Sequence, residues 1–235
     1  MLVTVQTISD SAIDLADMKN TKFIDQSGTA GTELIRYLNM AYKDVYQQII
    51  LSKEFYFTTS TTINIVGSTS SYALPADFYK LDGVDLRLDS SGRYLTLLPS
   101  MFKERNKFRS SLAYATAPFG QAYKYILVGS TIQFVPLPSS AGVIQLWYTP
   151  EPAVITSLSQ SLSLPIGCDE YMSLYVASAM LSKEESDTTA LTQKRLEIID
   201  QLKNSLKDRD QGSAQYVVDE STINAGALYP FRGWD

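Results

Sequence analysis

Along this chain the hydrophobic residues change their repeat twice, and that change limits the fold more than any other feature. From Thr29 to Phe55, Leu34, Leu38, Ala41, Val45 and Ile49 recur at steps of three and four, while Arg36, Asn39, Lys43 and Gln47 fall on other faces. This is the signature of a long amphipathic helix, with Ser27 or Thr29 placed to accept hydrogen bonds from its first turn. The repeat then shortens to two. Residues 57–66 are rich in Thr, Ile and Val, and further strands are expected at 80–88, 93–98, 123–128, 131–135 and 143–149. Gly129-Ser130 fits a two-residue type II′ turn between two of them. Pro136 and Pro138 end the second of these strands, because proline has no N–H for a ladder. Ser100 is placed to cap a short helix over MFKERNKF.

The helical repeat returns at 168–183, with Met172, Tyr175, Val176, Ala179 and Met180 on one side. Asp187 or Thr188 opens a last helix through about Asp210, striped by Leu191, Ile198, Leu202 and Leu206, and Gly212 closes it. Ahead of the first long helix lies a polar segment, 1–27, with apolar anchors Ile8, Ile13, Leu15, Phe23 and Ile24. Ser9 or Ser11 could cap a short helix there, running to Met18. A single amphipathic helix is marginal alone, so the first helix is expected to pack against the two late ones. The fold class that follows is α+β: a helical bundle (1–56 and 153–212) carrying an inserted antiparallel β-rich domain (57–152), and an extended C-terminal arm (213–235).

Composition narrows the chemistry. The 235 residues include no histidine and one cysteine, Cys168. An internal disulfide, a Cys/His zinc site and any triad with an imidazole base are therefore excluded. The net charge of −5 disfavours general attraction to nucleic acid or anionic lipid. Apolar runs stop at four residues, as in Tyr125–Val128, too short to span a membrane. The first ten residues carry no Lys or Arg, so they do not read as a signal peptide.

Asp82 and Asp85 are the closest carboxylates that could act as a hydrolytic pair, but on a regular strand they would point to opposite faces. Glu184, Glu185 and Asp187 form an acidic turn that reads better as a helix start than as a cation site. Lys103, Arg105, Lys107 and Arg109 are the one basic cluster, read as a solvated helix face in preference to a phosphate contact. Tyr79, Tyr94, Tyr114, Tyr123, Tyr125, Trp147 and Tyr148 give the β-rich part aromatic surface. That leaves a second functional reading, a module binding a glycan or a peptide. In the tail, Tyr229, Phe231, Arg232 and Trp234 are the residue types that concentrate binding energy at interfaces. They end a segment with no core-building pattern of its own, which favours an arm that orders on a neighbouring subunit or partner over a tail folded back on its own bundle.

Several stretches, in order, resemble the head-to-tail adaptor (connector) proteins of tailed bacteriophages. They are TELIRYLNMAYKDVYQQII, the segment with YALPADFYKL, Ala117-Pro118 with Gly120 and Tyr123, YILVGSTIQFVPLP, WYTPEPAVITSLSQSLSLP and DEYMSLYVASAML. Together they cover about residues 28–212. The resemblance implies a non-enzymatic virion protein at the head–tail junction, made in the host bacterial cytoplasm, with no cofactor or metal and no membrane contact. It implies a ring of copies of this chain, usually twelve, beneath the portal protein. Such a ring extends the channel through which genomic DNA slides without sequence-specific binding, and it receives a tail or nozzle protein.

Overall fold

The computed structural model describes residues 2–19, 22, 24–67, 69–87, 93–104, 124–135 and 141–208. In chain order these form β1 (Leu2–Thr4), α1 (Val5–Leu15), α2 (Glu33–Ser52), β2 (Thr59–Ile65), β3 (Ser71–Ala73), β4 (Phe78–Arg87), β5 (Tyr94–Thr96) and β6 (Leu98–Pro99). A 3₁₀ turn at Phe102–Glu104 follows, then β7 (Lys124–Val128), β8 (Thr131–Val135), β9 (Gly142–Pro150), β10 (Ser161–Ser163), α3 (Cys168–Lys183) and α4 (Thr189–Asp208). The expected mixture of helices with mainly antiparallel sheets is present.

The apolar stripe of α2 is buried as its spacing predicts: Leu34, Leu38, Ala41, Val45 and Ile49 all lie in one cluster with α1, α3 and α4. On α3 the expectation of a single apolar side was too narrow. Tyr171, Leu174 and Ala177 are buried along with Met172, Val176 and Met180, because α3 packs against α1, α2 and α4 at once. A helix packed against three others buries most of its circumference, so its pattern is not one-sided: the expected Tyr175 and Ala179 are only half-buried, and Glu170, Ser182 and Lys183 are exposed. Two side-chain bonds fix its direction: Lys183 Nζ donates to Glu33 Oε2 at 2.7 Å, and the Tyr171 hydroxyl donates to Asp44 Oδ2. Together they run α3 antiparallel to α2.

Helix starts differ from the sequence expectation. Serines 9 and 11 do not cap α1. Thr4 does, its Oγ1 accepting from Thr7 N at 3.4 Å, while Ser9 is buried inside the helix. The reason is long-range: β1 pairs with β10, register Val3 to Leu162, and holds Thr4 extended just ahead of the helix. The helix ends at Leu15, short of Met18. At α2 the cap position is Thr32, neither Ser27 nor Thr29, and its hydroxyl donates back to Thr29 O. For α4 the expectation holds closely. Asp187 Oδ1 accepts from Thr189 N at 2.9 Å and from Thr189 Oγ1 at 2.6 Å, immediately before the first turn.

Beside the two-stranded β1-β10 pair, the described strands form two four-stranded sheets, β2-β9-β4-β5 and β3-β8-β7-β6. Ile65, Val84, Leu86, Leu97, Ile132, Phe134, Ile144, Leu146 and Tyr148, drawn from both sheets, share one apolar core. Every pairing is antiparallel except β6 with β7, which is parallel. The two-residue loop at Gly129-Ser130 joins β7 to β8 as expected, with Gly129 at φ +57° and Val128 opposite Thr131. Of the helix expected after Ser100, only the 3₁₀ turn lies within the described residues; Pro136, Pro138 and Gly212 lie outside them.

Helices and sheets meet around the end of α2. The Tyr46 hydroxyl donates to Pro150 O at 2.7 Å, its ring stacks on Phe57 at 4.2 Å, and Lys80 pairs with Glu54 at 2.6 Å. Asn39 binds both the N–H and the C=O of Ile155, fastening the returning chain to α2.

Candidate interaction surfaces

Tyr229, Phe231, Arg232 and Trp234 lie outside the described residues, so the structure neither joins them to a site nor separates them from one. The geometry does show where the last described residues of α4 lie. Lys194 of α4 pairs with Glu170, the Arg195 guanidinium lies 4.8 Å from the Tyr175 ring, and Leu202 packs on Gly167. Later residues of α4 therefore meet earlier residues of α3. Asp208 leaves the helices at the end where α3 begins and α2 hands over to the sheets.

The two aspartates occupy positions that sequence spacing misjudged. Opposite faces were expected for residues 82 and 85. Both carboxylates instead sit on the face of the sheet turned away from its core. Asp82 Oδ2 accepts from Thr58 Oγ1 at 2.6 Å and Thr149 Oγ1 at 2.9 Å; Asp85 accepts from Thr96 Oγ1 at 2.8 Å and Trp147 Nε1 at 2.7 Å. Residues 147 and 149 lie two apart on β9, on one side of that strand. The cause is a bulge in β4, where Leu81 faces Tyr148 but Gly83 faces Trp147, leaving Asp82 as the extra residue. One inserted residue shifts the alternation by one. Each carboxylate is engaged by donors from two neighbouring segments, so the pair ties strands together.

The acidic turn is exposed: Glu185 takes φ +60°, and the two hydrogen bonds from Thr189 hold the Asp187 carboxyl below its usual range. Among the described residues no group of three or more potential ligands gathers to hold a metal ion. Lys103 lies exposed on the 3₁₀ turn, while Arg105, Lys107 and Arg109 fall outside the described residues. Of the aromatic residues in the β-rich part, Tyr148 is core and stacks on Phe78, and Tyr125 is half-buried. Tyr79, Tyr94 and Trp147 are exposed, and Tyr114 and Tyr123 lie outside the described residues.

Sequence reasoning missed two apolar exposures. Leu51 and Phe55, at the end of α2, are 81% and 59% exposed; Leu98, Met101 and Phe102 follow the edge of the second sheet and are exposed too. Large apolar groups left wet in neighbouring positions are a mark of contact surfaces. Met101-Phe102, side by side ahead of a charged run, was the available signal. A cavity of about 220 Å³ opens at the helix–sheet junction between Lys43, Tyr46, Tyr79, Glu151 and Val154. Burial keeps the Tyr46 phenol well above its ordinary pKa, so it stays a neutral donor to Pro150. No described helix is long and apolar enough to cross a membrane.

Residues 3–219 match the family model described as SU10 adaptor protein, a span that takes in every element described above except Leu2 and stops short of Tyr229. No curated protein matches the chain.

Proposed function

The chain belongs to the SU10 adaptor protein family, and from that premise we propose that it is a structural virion protein: the head-to-tail adaptor of a tailed bacteriophage. Families of this kind build, they do not catalyse. In this reading, copies of the chain close into a ring, twelve being the usual number, beneath the portal protein. The ring prolongs the DNA channel and offers a platform to a tail or nozzle protein. The helical part, 1–56 and 153–212, acts as the bundle of the ring wall, 57–152 is the inserted β domain, and 213–235 is the arm. The family match over 3–219 carries this reading. The wet apolar groups at Leu51, Phe55, Leu98, Met101 and Phe102 support it, since an assembly piece must present several distinct contact surfaces.

Tyr229, Phe231, Arg232 and Trp234 are proposed to anchor the arm on the portal or a neighbouring subunit. The test is mass measurement of the purified chain, alone and then mixed with portal rings. Stoichiometric uptake is expected, and its absence overturns the reading. Phe231→Ala with Trp234→Ala should weaken uptake by about 2 kcal/mol or more per residue if both are hot spots. Undiminished uptake by that double variant would remove the arm from the mechanism while leaving the adaptor role intact.

A further inference from the structure

Among the described residues, the four edge strands of the two four-stranded sheets are unequal. β3 and β5 have three residues each, and β6 has two and ends in Pro99. Short length and proline are ordinary ways to stop one sheet from pairing with another. The remaining edge, β2, has neither. It spans seven residues, Thr59–Ile65, and pairs with β9 in unbroken register with no bulge. It carries no charge either: from Phe55 to Ala76 the chain has no Asp, Glu, Lys or Arg. No described residue pairs with its other side. Such an edge is a template for one more strand.

The residues of β2 also say which strand fits. Thr61, Ile63 and Ile65 turn toward the sheet core and are half-buried or buried, while Ser60, Thr62 and Asn64 are exposed on the opposite face. Placed antiparallel to itself about Thr62, the strand sets Thr61 against Ile63, Thr59 against Ile65, Ser60 against Asn64 and Thr62 against Thr62. Core-side residues meet core-side residues, and hydroxyls meet hydroxyls or a carboxamide. A slip of one residue would turn one sheet's apolar face outward, and of the registers that keep the faces matched, the one about Thr62 is the one that pairs all seven residues of the strand. The chain's net negative charge does not oppose the contact locally, because no ionised side chain lies on the strand.

We propose that β2 is a self-pairing edge, and that two copies of the free protein join their sheets antiparallel with a two-fold axis at Thr62. A two-fold contact closes on two copies and uses one patch against itself, unlike the head-to-tail contacts of a ring. It therefore stands or falls apart from the adaptor reading. The test is light-scattering mass of the full chain across a concentration series, with Thr62→Lys, Thr62→Glu and, as a control, Gln193→Lys on the exposed face of α4. Wild type and control should rise to twice the mass of one chain. Each Thr62 variant alone should stay at one, since like charges would face each other, and the lysine and glutamate variants mixed should recover the doubled mass. Backbone amides of 59–65 should exchange more slowly as wild-type concentration rises, a readout that needs no variant to fold. A wild type that stays single at its highest soluble concentration, a mass beyond two chains, or a Thr62→Lys protein as dimeric as wild type would each overturn the proposal.

Discussion

Asn39→Ala isolates the bond that ties the returning chain to α2. Asn39 Nδ2 donates to Ile155 O at 2.9 Å, and Oδ1 accepts from Ile155 N at 2.9 Å. Ile155 is 1% exposed, so water cannot readily replace either partner. Nδ2 also reaches Ile35 O, but that carbonyl sits in the helix ladder and is not orphaned by the change. Two buried backbone groups are left unpaired, each worth about 1–3 kcal/mol, and partial relaxation brings the expected loss to about 2–4 kcal/mol. With a urea slope of ~3 kcal/mol/M for a chain of this size, the midpoint should fall by roughly 1 M. Asn39→Asp adds a sign test: it keeps the acceptor and loses the donor, so its penalty should shrink in acid, where the protonated carboxyl regains one O–H. Urea titrations followed by far-UV ellipticity measure both. An Asn39→Ala midpoint within about 0.2 M of wild type would refute the assignment of Ile155's two backbone groups to this amide, because even one orphan would cost more.

Two further outcomes follow from single groups. The hydrogen bond from Lys183 holds the Glu33 carboxyl below its ordinary 4.5, so the bridge contributes fully above that value and is lost as pH falls through the lowered folded one; Glu33→Gln should flatten the acid limb of a Tm-against-pH curve, and an unchanged slope would count against it. Burial pushes the Cys168 thiol up to about 12, so a thiol reagent should leave the native protein unlabelled at mildly alkaline pH and modify one thiol per chain in denaturant; fast native labelling would contradict the buried position.

What the sequence announced and what it hid divide along a physical line. α2 was legible because its burial repeats every three to four residues, and β7 with β8 because a glycine turn joins two alternating runs. β1 and β10 were not: each has three residues, too few for a period, and each exists only because the other lies alongside it across the chain. That pairing also moved the start of α1 back to Val5, which no local signal at Ser9 or Ser11 could reveal. The contact surfaces fared unevenly. The aromatic tail was visible by composition, whereas the wet Leu51 and Phe55 look like the end of a helix stripe until the neighbours that fail to cover them are known.

The chain by itself determined its chemistry by exclusion, its three long helices and most of its strands, because residue type and period are local properties that survive in any tertiary setting. It also carried, in ordered stretches, the likeness that led to the family. Only the tertiary structure decided that α3 packs against three other helices, that a bulge puts Asp82 and Asp85 on one face, that Asn39 is a fastener and not surface, and that, among the described residues, β2 is a seven-residue sheet edge with no charge, proline or bulge. Each of these depends on which distant segment arrives beside a residue, and partnership at a distance leaves no mark in the residues taken one stretch at a time.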